Sequence, residues 1–366
     1  MNDTLRKSIS YCLFPFSMWY GIGIFFRNMA FEIGLKRQTA PHVTTIGLGN
    51  LACGGTGKTP HAEHLITLLQ NDYRVAYLSR GYKRESKGFQ IASEGCDARL
   101  LGDEASMIAR KFPKIMVAVC EKRVEGVRRL MEMEQPPQVI ILDDVYQHRS
   151  IKPTINILLT EYQNPYFKDH ILPFGNLREF RSARSRANII IVTKTPSNID
   201  PISKHNIINE LGAQAYQKVF FSSIGYQQPR QLYGNESTQL NNYENILLVT
   251  GIAHPEPLEK HVSRYSMVKT MAFGDHHEFS DGELQQIAAN FAEMGERSIV
   301  LTTEKDAQRL RSERAYSILG NLPIYYIPIG TVIEGNKDFN FDSTIQKSVK
   351  ENITFLDKLE HSHFLM

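Results

Sequence analysis

The run Gly49-Asn-Leu-Ala-Cys-Gly-Gly-Thr-Gly-Lys-Thr-Pro60 has the makings of a phosphate-binding loop. Glycines let successive backbone N–H groups turn toward one point, and a helix starting behind them adds its positive dipole end. Gly54, Gly55, Thr56 and Gly57 would form that cradle. Lys58 would reach the outer phosphates of a nucleotide, and the Thr59 hydroxyl would ligate Mg²⁺. The usual spacing asks for a first glycine at position 52, where this chain has alanine. Val139-Ile-Ile-Leu-Asp-Asp144 is an apolar run ending in two carboxylates, which such a site needs because the metal must bridge phosphate and protein oxygens. Asp143 and Asp144 are both metal-site candidates, and the sequence does not choose between them.

Other polar clusters are more ambiguous. Gly102-Asp103-Glu104 opens a helical pattern; the acids there either compensate the helix dipole or supply a general base that takes a proton from an attacking hydroxyl. Ser79-Arg-Gly-Tyr-Lys-Arg84, Glu121-Lys-Arg123 and Arg178-Glu179 with Arg181, Arg184 and Arg186 are basic clusters. Each reads singly as a solvated face, and together they suggest a positive rim for phosphate groups. Phe273-Gly-Asp-His-His-Glu-Phe279 offers His276 and His277, adjacent and therefore a poor chelate, but suited to orienting or accepting a proton. Thr303-Glu-Lys-Asp306 is explained mostly by helix capping.

These residues need a scaffold that gathers them. Strands are expected at 43–48, 75–79, 115–119, 139–142, 155–159 and 189–193, with helices at 61–70, 104–112 and 122–134 between them. Continuous apolar strands alternating with helices imply a mostly parallel sheet covered on both faces, with loops at the carboxyl strand ends forming the site. A polar stretch at 226–243 reads as connector or hinge. A second alternating pattern then begins: strands 246–250, 267–273, 298–303 and 324–327, helices 281–294 and 305–310, with Ser280 and Glu283 as a capping box. The expected fold is α/β: a P-loop NTPase-like domain at 39–225 and a smaller α/β domain at 244–366.

Composition agrees with a globular chain. The 366 residues are 42% hydrophobic and 22% charged, and a net charge of +3 gives no ground for a nucleic-acid partner. Four scattered cysteines without C-x-x-C pairing suggest reduced thiols rather than zinc or disulfides. Residues 1–38 stand apart. The aromatic stretch 11–26 contains Trp19 and Pro15 and is flanked by Arg6, Lys7 and Arg27. It lacks a cleavage site and is short for a membrane span. It reads either as a helical hairpin lying in a membrane interface or as a helix packed on the core.

Taken together, the chain resembles the tetraacyldisaccharide 4'-kinase family, the lipid A kinases of Gram-negative bacteria. The likeness rests on Pro15-Phe-Ser-x-x-Tyr-Gly21, the loop at 49–60, Ser79-Arg-Gly-Tyr82, Gly102-Asp-Glu104, Asp143-Asp144 with Gln147-His148, and Pro173-x-Gly-x-Leu-Arg-Glu179. It continues through Gly251-Ile-Ala, Asp275-His-His-x-Phe279 and Thr303-Glu-Lys-Asp-Ala307. That family also lacks the first loop glycine. The resemblance implies phosphoryl transfer from ATP, with Mg²⁺, to the 4'-hydroxyl of an acylated glucosamine disaccharide 1-phosphate. The setting it implies is the cytoplasmic face of the inner membrane, for a peripheral, monomeric enzyme. By position it implies Asp103 as catalytic base with His276 as its partner, residues 54–59 and Arg123 on the nucleotide, and Thr59, Asp143, Asp144 and Glu179 around the metal. Arg80, Tyr82, Glu104, His148 and Arg178 would contact substrate. The rival class is a membrane-associated ATPase switch without phosphoryl transfer. A soluble small-molecule kinase would leave the N-terminal aromatics unexplained.

Overall fold

The computed structural model describes residues 3–93, 98–196, 198–252, 254–274, 277–335 and 339–363, with side chains for those between 13 and 359 apart from Ala98. Asp275 and His276, the expected imidazole partner of the base, lie outside the described residues. The chain forms two compact units, residues Met1–Ile224 with Thr331–Met366, and Gly225–Gly330.

The first unit opens with α1 (Asp3–Glu32), followed by β1 (Thr44–Asn50), α2 (Lys58–Leu69), β2 (Val75–Ser79), β3 (Gln90–Ile91), α3 (Ala98–Leu101) and α4 (Asp103–Lys111). Then come β4 (Met116–Val119), α5 (Arg123–Met131), β5 (Val139–Leu142), β6 (Ile155–Glu161), β7 (Ile189–Thr193), α6 (Pro201–Leu211) and β8 (Lys218–Tyr226). The second unit holds β9 (Arg230–Gln231), β10 (Asn245–Thr250), α7 (Glu256–Val262), β11 (Met267–Ala272), α8 (Asp281–Ala292), β12 (Ser298–Thr303), α9 (Glu304–Leu310), α10 (Glu313–Leu319) and β13 (Ile324–Ile327). The chain then returns through β14 (Ile329–Ile333) to α11 (Phe341–His363).

The main sheet runs β14-β8-β7-β6-β1-β5-β2-β4-β3. Every pairing from β8 to β4 is parallel, and the short β3 is antiparallel. Strands β1, β2, β5 and β7 are buried throughout, as a sheet covered on both faces requires. One face packs Leu65, Ile66 and Leu69 of α2, Ile108 of α4 and Phe341, Ile345 and Val349 of α11. The other packs Val127 and Leu130 of α5 and Leu211 of α6. The expected P-loop-type doubly covered sheet is therefore the one formed. Strand β1 lies centrally, and its paired neighbour β5 carries Asp143-Asp144 at its end.

The second unit is a sheet of order β11-β10-β12-β13-β9, parallel except for β9. It runs from Gly225 to Gly330, whereas the sequence suggested a domain at 244–366 after a connector at 226–243. Residues 331–366 belong to the first unit, because β14 pairs beside β8 and α11 closes the first core. The stretch 226–243 is also not a free connector: it carries β9, and Leu232 and Leu240 are buried in the second unit's cores.

The N-terminal stretch forms one helix rather than a hairpin, continuing through Pro15. It has one face packed on the protein and one face exposed. Ser17 and Ile24 are buried: Ser17 Oγ donates to the Ile171 carbonyl (3.2 Å) and accepts from Phe174 N–H (2.8 Å). Phe16, Trp19, Phe25 and Phe26 are exposed, Trp19 at 75%. No described helix is long and apolar enough to cross a membrane.

Candidate phosphate-binding and phosphoryl-transfer site

Strand β1 ends at Asn50, and the glycine loop carries the chain to α2. Gly54 and Gly57 take positive φ (123° and 83°), a conformation strained for any side chain, and Gly57 is the residue that caps α2. Ala52 needs no glycine, because it pairs in an antiparallel bridge with Leu177. Cys53 N–H donates to Asn176 O (2.8 Å) and Arg178 N–H to Leu51 O (2.7 Å), so the segment 176–178 props the loop from outside. The glycine that close packing demands is Gly49, where a Cβ would lie 2.5 Å from that of Tyr146. Asn50 Nδ2–H donates to Thr56 Oγ1 (2.9 Å), closing the loop from within.

Lys58 opens α2 and places its ammonium 3.6 Å from Asp144 Oδ1. Arg178 grips the same carboxylate with both guanidinium ends, Nη2 to Oδ1 at 3.0 Å and Nη1 to Oδ2 at 3.2 Å, and also bonds Asn50. Burial would raise the Asp144 pKa, but the Arg178 hydrogen bonds and the charges of Lys58 and Arg178 win and hold it at about 2. Asp144 sits at φ 46°, a twist that turns it out of the strand direction.

Asp143, its neighbour, is buried and differently engaged. Tyr77 O–H donates to its Oδ2 (2.7 Å) and Asp144 N–H to its Oδ1 (2.9 Å). Burial pushes the Asp143 carboxyl upward, against the pull of Lys58. The structure thus separates two carboxylates the sequence left equivalent: Asp144 faces the loop lysine, and Asp143 stands behind it. Thr59, one residue into α2, adds a hydroxyl. This oxygen-only donor set suits a hard cation such as Mg²⁺ held chiefly by phosphate.

The expected base lies at the start of α4. Gly102 (φ 83°) precedes Asp103, and a Cβ there would stand 2.7 Å from the Tyr82 carbonyl. Gly81 likewise lies close to the Leu101 carbonyl. The loops carrying Arg80 and Tyr82 are thereby packed on the one carrying Asp103 and Glu104, all beyond the end of β2. Asp103 is half-buried; Arg80, Tyr82 and Glu104 are exposed. His148 comes four residues after Asp144, and burial with the charges of Arg123 and Arg80 lowers its pKa to about 4. Burial raises the Tyr77 hydroxyl, with Asp143 and then Glu104 reinforcing it, so Glu104 acts on the same cluster.

Two expected ligands are engaged by other groups of the protein. Arg123 is turned inward: it is 1% exposed, donating through Nη1 to Cys120 O (2.7 Å) and through Nη2 to Asp143 O (3.0 Å). It braces the strand end and lends positive potential from behind, while burial lowers its own pKa. Glu179 is fully buried, and its oxygens are taken by Arg27 Nη2 (2.9 Å) and Arg186 Nη1 (2.7 Å). An acid beside a basic cluster reads equally as ligand or brace, and only the fold shows that Arg27 of α1 completes the pair. Three contributors were given no role from sequence, although Asn50 and Gln147 stand inside motifs already singled out. Tyr77 and Asn50 were each signalled by a polar group inside a buried strand, which needs a partner. Gln147, whose Nε2–H donates to Asn50 O (2.8 Å), carried no comparable signal.

In the second unit, Thr303 and Asp306 cap α9 as expected: Asp306 N–H donates to Thr303 Oγ1 (3.1 Å), while Asp306 carboxylate accepts from Gly251 N–H (2.8 Å) and Arg309 (3.1 Å). His277 Nε2 lies 3.0 Å from Glu283 of the Ser280 capping box, and its ring stacks on Phe273.

The chain is similar to known proteins over nearly its whole length. The family described as Tetraacyldisaccharide-1-P 4'-kinase (LpxK) matches residues 9–350. A tetraacyldisaccharide 4'-kinase of Bacteroides fragilis is 42% identical over 351 residues, 93% of each chain. Its counterpart from Flavobacterium johnsoniae is 42% identical over 354 residues, 96% of this chain and 99% of the other. A crystal structure of LpxK from Aquifex aeolicus in complex with ATP superposes with a TM-score of 0.73 at 28% identity, covering 94% of this chain and 99% of that one.

Proposed function

The chain belongs to the tetraacyldisaccharide-1-P 4'-kinase family, and from that premise we propose how its residues carry the reaction. The activity is ATP-dependent phosphoryl transfer to the 4'-hydroxyl of tetraacyldisaccharide 1-phosphate, giving the 1,4'-bisphosphate in lipid A biosynthesis. The observation that carries our reading is the convergence of Lys58, Asp144 and Arg178 at the mouth of the glycine loop. The backbone of residues 54–59 cradles the polyphosphate of ATP, and Lys58 neutralises its outer charge. Bound Mg²⁺ supplies charge neutralisation across the phosphates; Thr59 and Asp144 would hold it, with Asp143 behind them. When ATP binds, Lys58 and Arg178 exchange part of their hold on Asp144 for phosphate oxygens, so their positive charge is already in place before transfer.

Asp103 takes the proton of the sugar hydroxyl, with His276, outside the described residues, as the imidazole partner. Arg80, Tyr82, Glu104 and His148 line the approach to Asp103. A near-neutral imidazole at His148 suits hydrogen bonding to sugar hydroxyls rather than ion pairing. The exposed aromatics of α1 support docking on the cytoplasmic surface of the inner membrane, where a multiply acylated substrate resides, by a helix lying in the interface. The ATPase-switch alternative leaves the acceptor-side loops without a task.

The test is transfer of label from ATP, with Mg²⁺, to tetraacyldisaccharide 1-phosphate in detergent micelles. A labelled bisphosphate lipid is expected, and Asp103→Ala should lose the transfer while keeping ATP binding. Hydrolysis indifferent to lipid, with no labelled product, would refute the reading.

A further inference from the structure

His61, one turn into α2, takes no part in the reaction scheme, yet it is buried against the phosphate loop. Its Nδ1 lies 2.7 Å from the carbonyl oxygen of Gly57, and its Nε2 lies 3.0 Å from Ser222 Oγ. A carbonyl only accepts, so Nδ1 carries the proton and Nε2 accepts from the serine hydroxyl. The carbonyl thus selects the tautomer that carries its proton on Nδ1. Its own backbone N–H also points at Gly57 O, but at a longer 3.3 Å. The side chain therefore makes the shorter of the two bonds to that oxygen. Ser222 is anchored in turn: it lies in β8, and its carbonyl accepts from Thr195 N–H (2.9 Å).

We propose that His61 is a positioning residue for nucleotide binding, setting the peptide plane between Gly57 and Lys58. A peptide unit is rigid, and its N–H points opposite to its C=O. Holding the Gly57 carbonyl toward α2 thus aims the Lys58 N–H out of the helix start, into the loop. Gly57 is the residue least able to hold that plane unaided, because it has positive φ and no side chain. Through Ser222, the clamp secures the loop to the strand by which the chain passes into the second unit. The inference rests on residues 54–59 binding phosphate and adds to them the residue that pre-organises the loop.

The experiment compares Mg²⁺–ATP binding by calorimetry for the wild type, His61→Leu, His61→Asn and Ser222→Ala, each checked for fold by circular dichroism. His61→Leu should raise the ATP Kd about tenfold, the loss of one well-placed hydrogen bond in a pre-organised site. His61→Asn, whose amide N–H can still reach Gly57 O, should recover most of that affinity. Ser222→Ala should fall between them, and KM for the lipid acceptor should not move. Long-range ¹⁵N–¹H correlation of the wild-type imidazole should show the proton on Nδ1, a readout independent of whether the leucine variant folds. A proton on Nε2, or leucine and asparagine variants that bind ATP alike, overturns the assignment of His61. A wild type that binds no ATP overturns the phosphate-loop reading instead.

Discussion

Glu179→Gln separates a brace from a metal ligand. The carboxylate is fully buried and accepts two charge-assisted bonds, at 2.9 Å from Arg27 and 2.7 Å from Arg186. Each such bond contributes about 1.5–3 kcal/mol. Arg27 and Arg186 are 34% and 22% exposed, so water recovers part of their hydration once the charge is gone. A net loss of about 3 kcal/mol results, and in a unit of this size that lowers Tm by roughly 6–12 °C. Differential scanning calorimetry reads the shift, and Mg²⁺ titration of kinase activity below the transition reads the alternative. The brace predicts a lowered Tm with the apparent Mg²⁺ affinity within about twofold of wild type. A Tm within about 1 °C of wild type, with Mg²⁺ affinity weakened tenfold or more, would refute the reasoning and return Glu179 to the metal.

Two further outcomes are expected from the same geometry. Trp19→Glu combined with Phe26→Glu alters exposed positions of α1, so melting should be unchanged while sedimentation with anionic liposomes falls by roughly thirtyfold, about 2 kcal/mol of lost apolar burial; undiminished sedimentation would remove α1 as the docking element. His61 is buried with its pKa lowered from 6.5 to about 4, so the unfolded chain takes up the proton first as pH falls. Its stabilising contribution is complete above pH 6.5 and is lost between 6.5 and 4, about 2 kcal/mol from pH 7 to pH 5. His148 acts in the same direction. Urea unfolding at the two pH values should show the loss, and His61→Asn should lessen it; an identical pH dependence in both proteins would contradict it.

The sequence made the site's front legible. The glycine loop, Asp143-Asp144 and the acidic start of α4 each sit at a strand end or helix start with its own local signature. Strands at 75–79, 139–142, 189–193, 298–303 and 324–327 were bounded as found, because each is an apolar run closed by polar residues. What local patterns could not carry was long-range pairing. Arg27 meets Glu179 across 152 residues, and nothing near either announces the other. Strand β8 mixes polar residues with its aromatics, and α11 is amphipathic without a strong start, so neither stood out as an element. The second domain's boundary failed for the same reason: the final helix belongs to a core built from strands that begin at residue 44.

That return has a consequence for synthesis. Phe341, Ile345 and Val349 are part of the first unit's core, with Phe341 edge-on to Phe220 and Asn352 bonded to Thr44 of β1. A ribosome must therefore deliver nearly the whole chain before that core can close, whereas residues 225–330 are complete earlier. The inserted unit can finish folding while the nucleotide-binding unit is still open along one face. A nascent chain stalled before residue 341 would then present Ile66, Leu69 and Phe220 to solvent, a sticky surface that chaperones recognise.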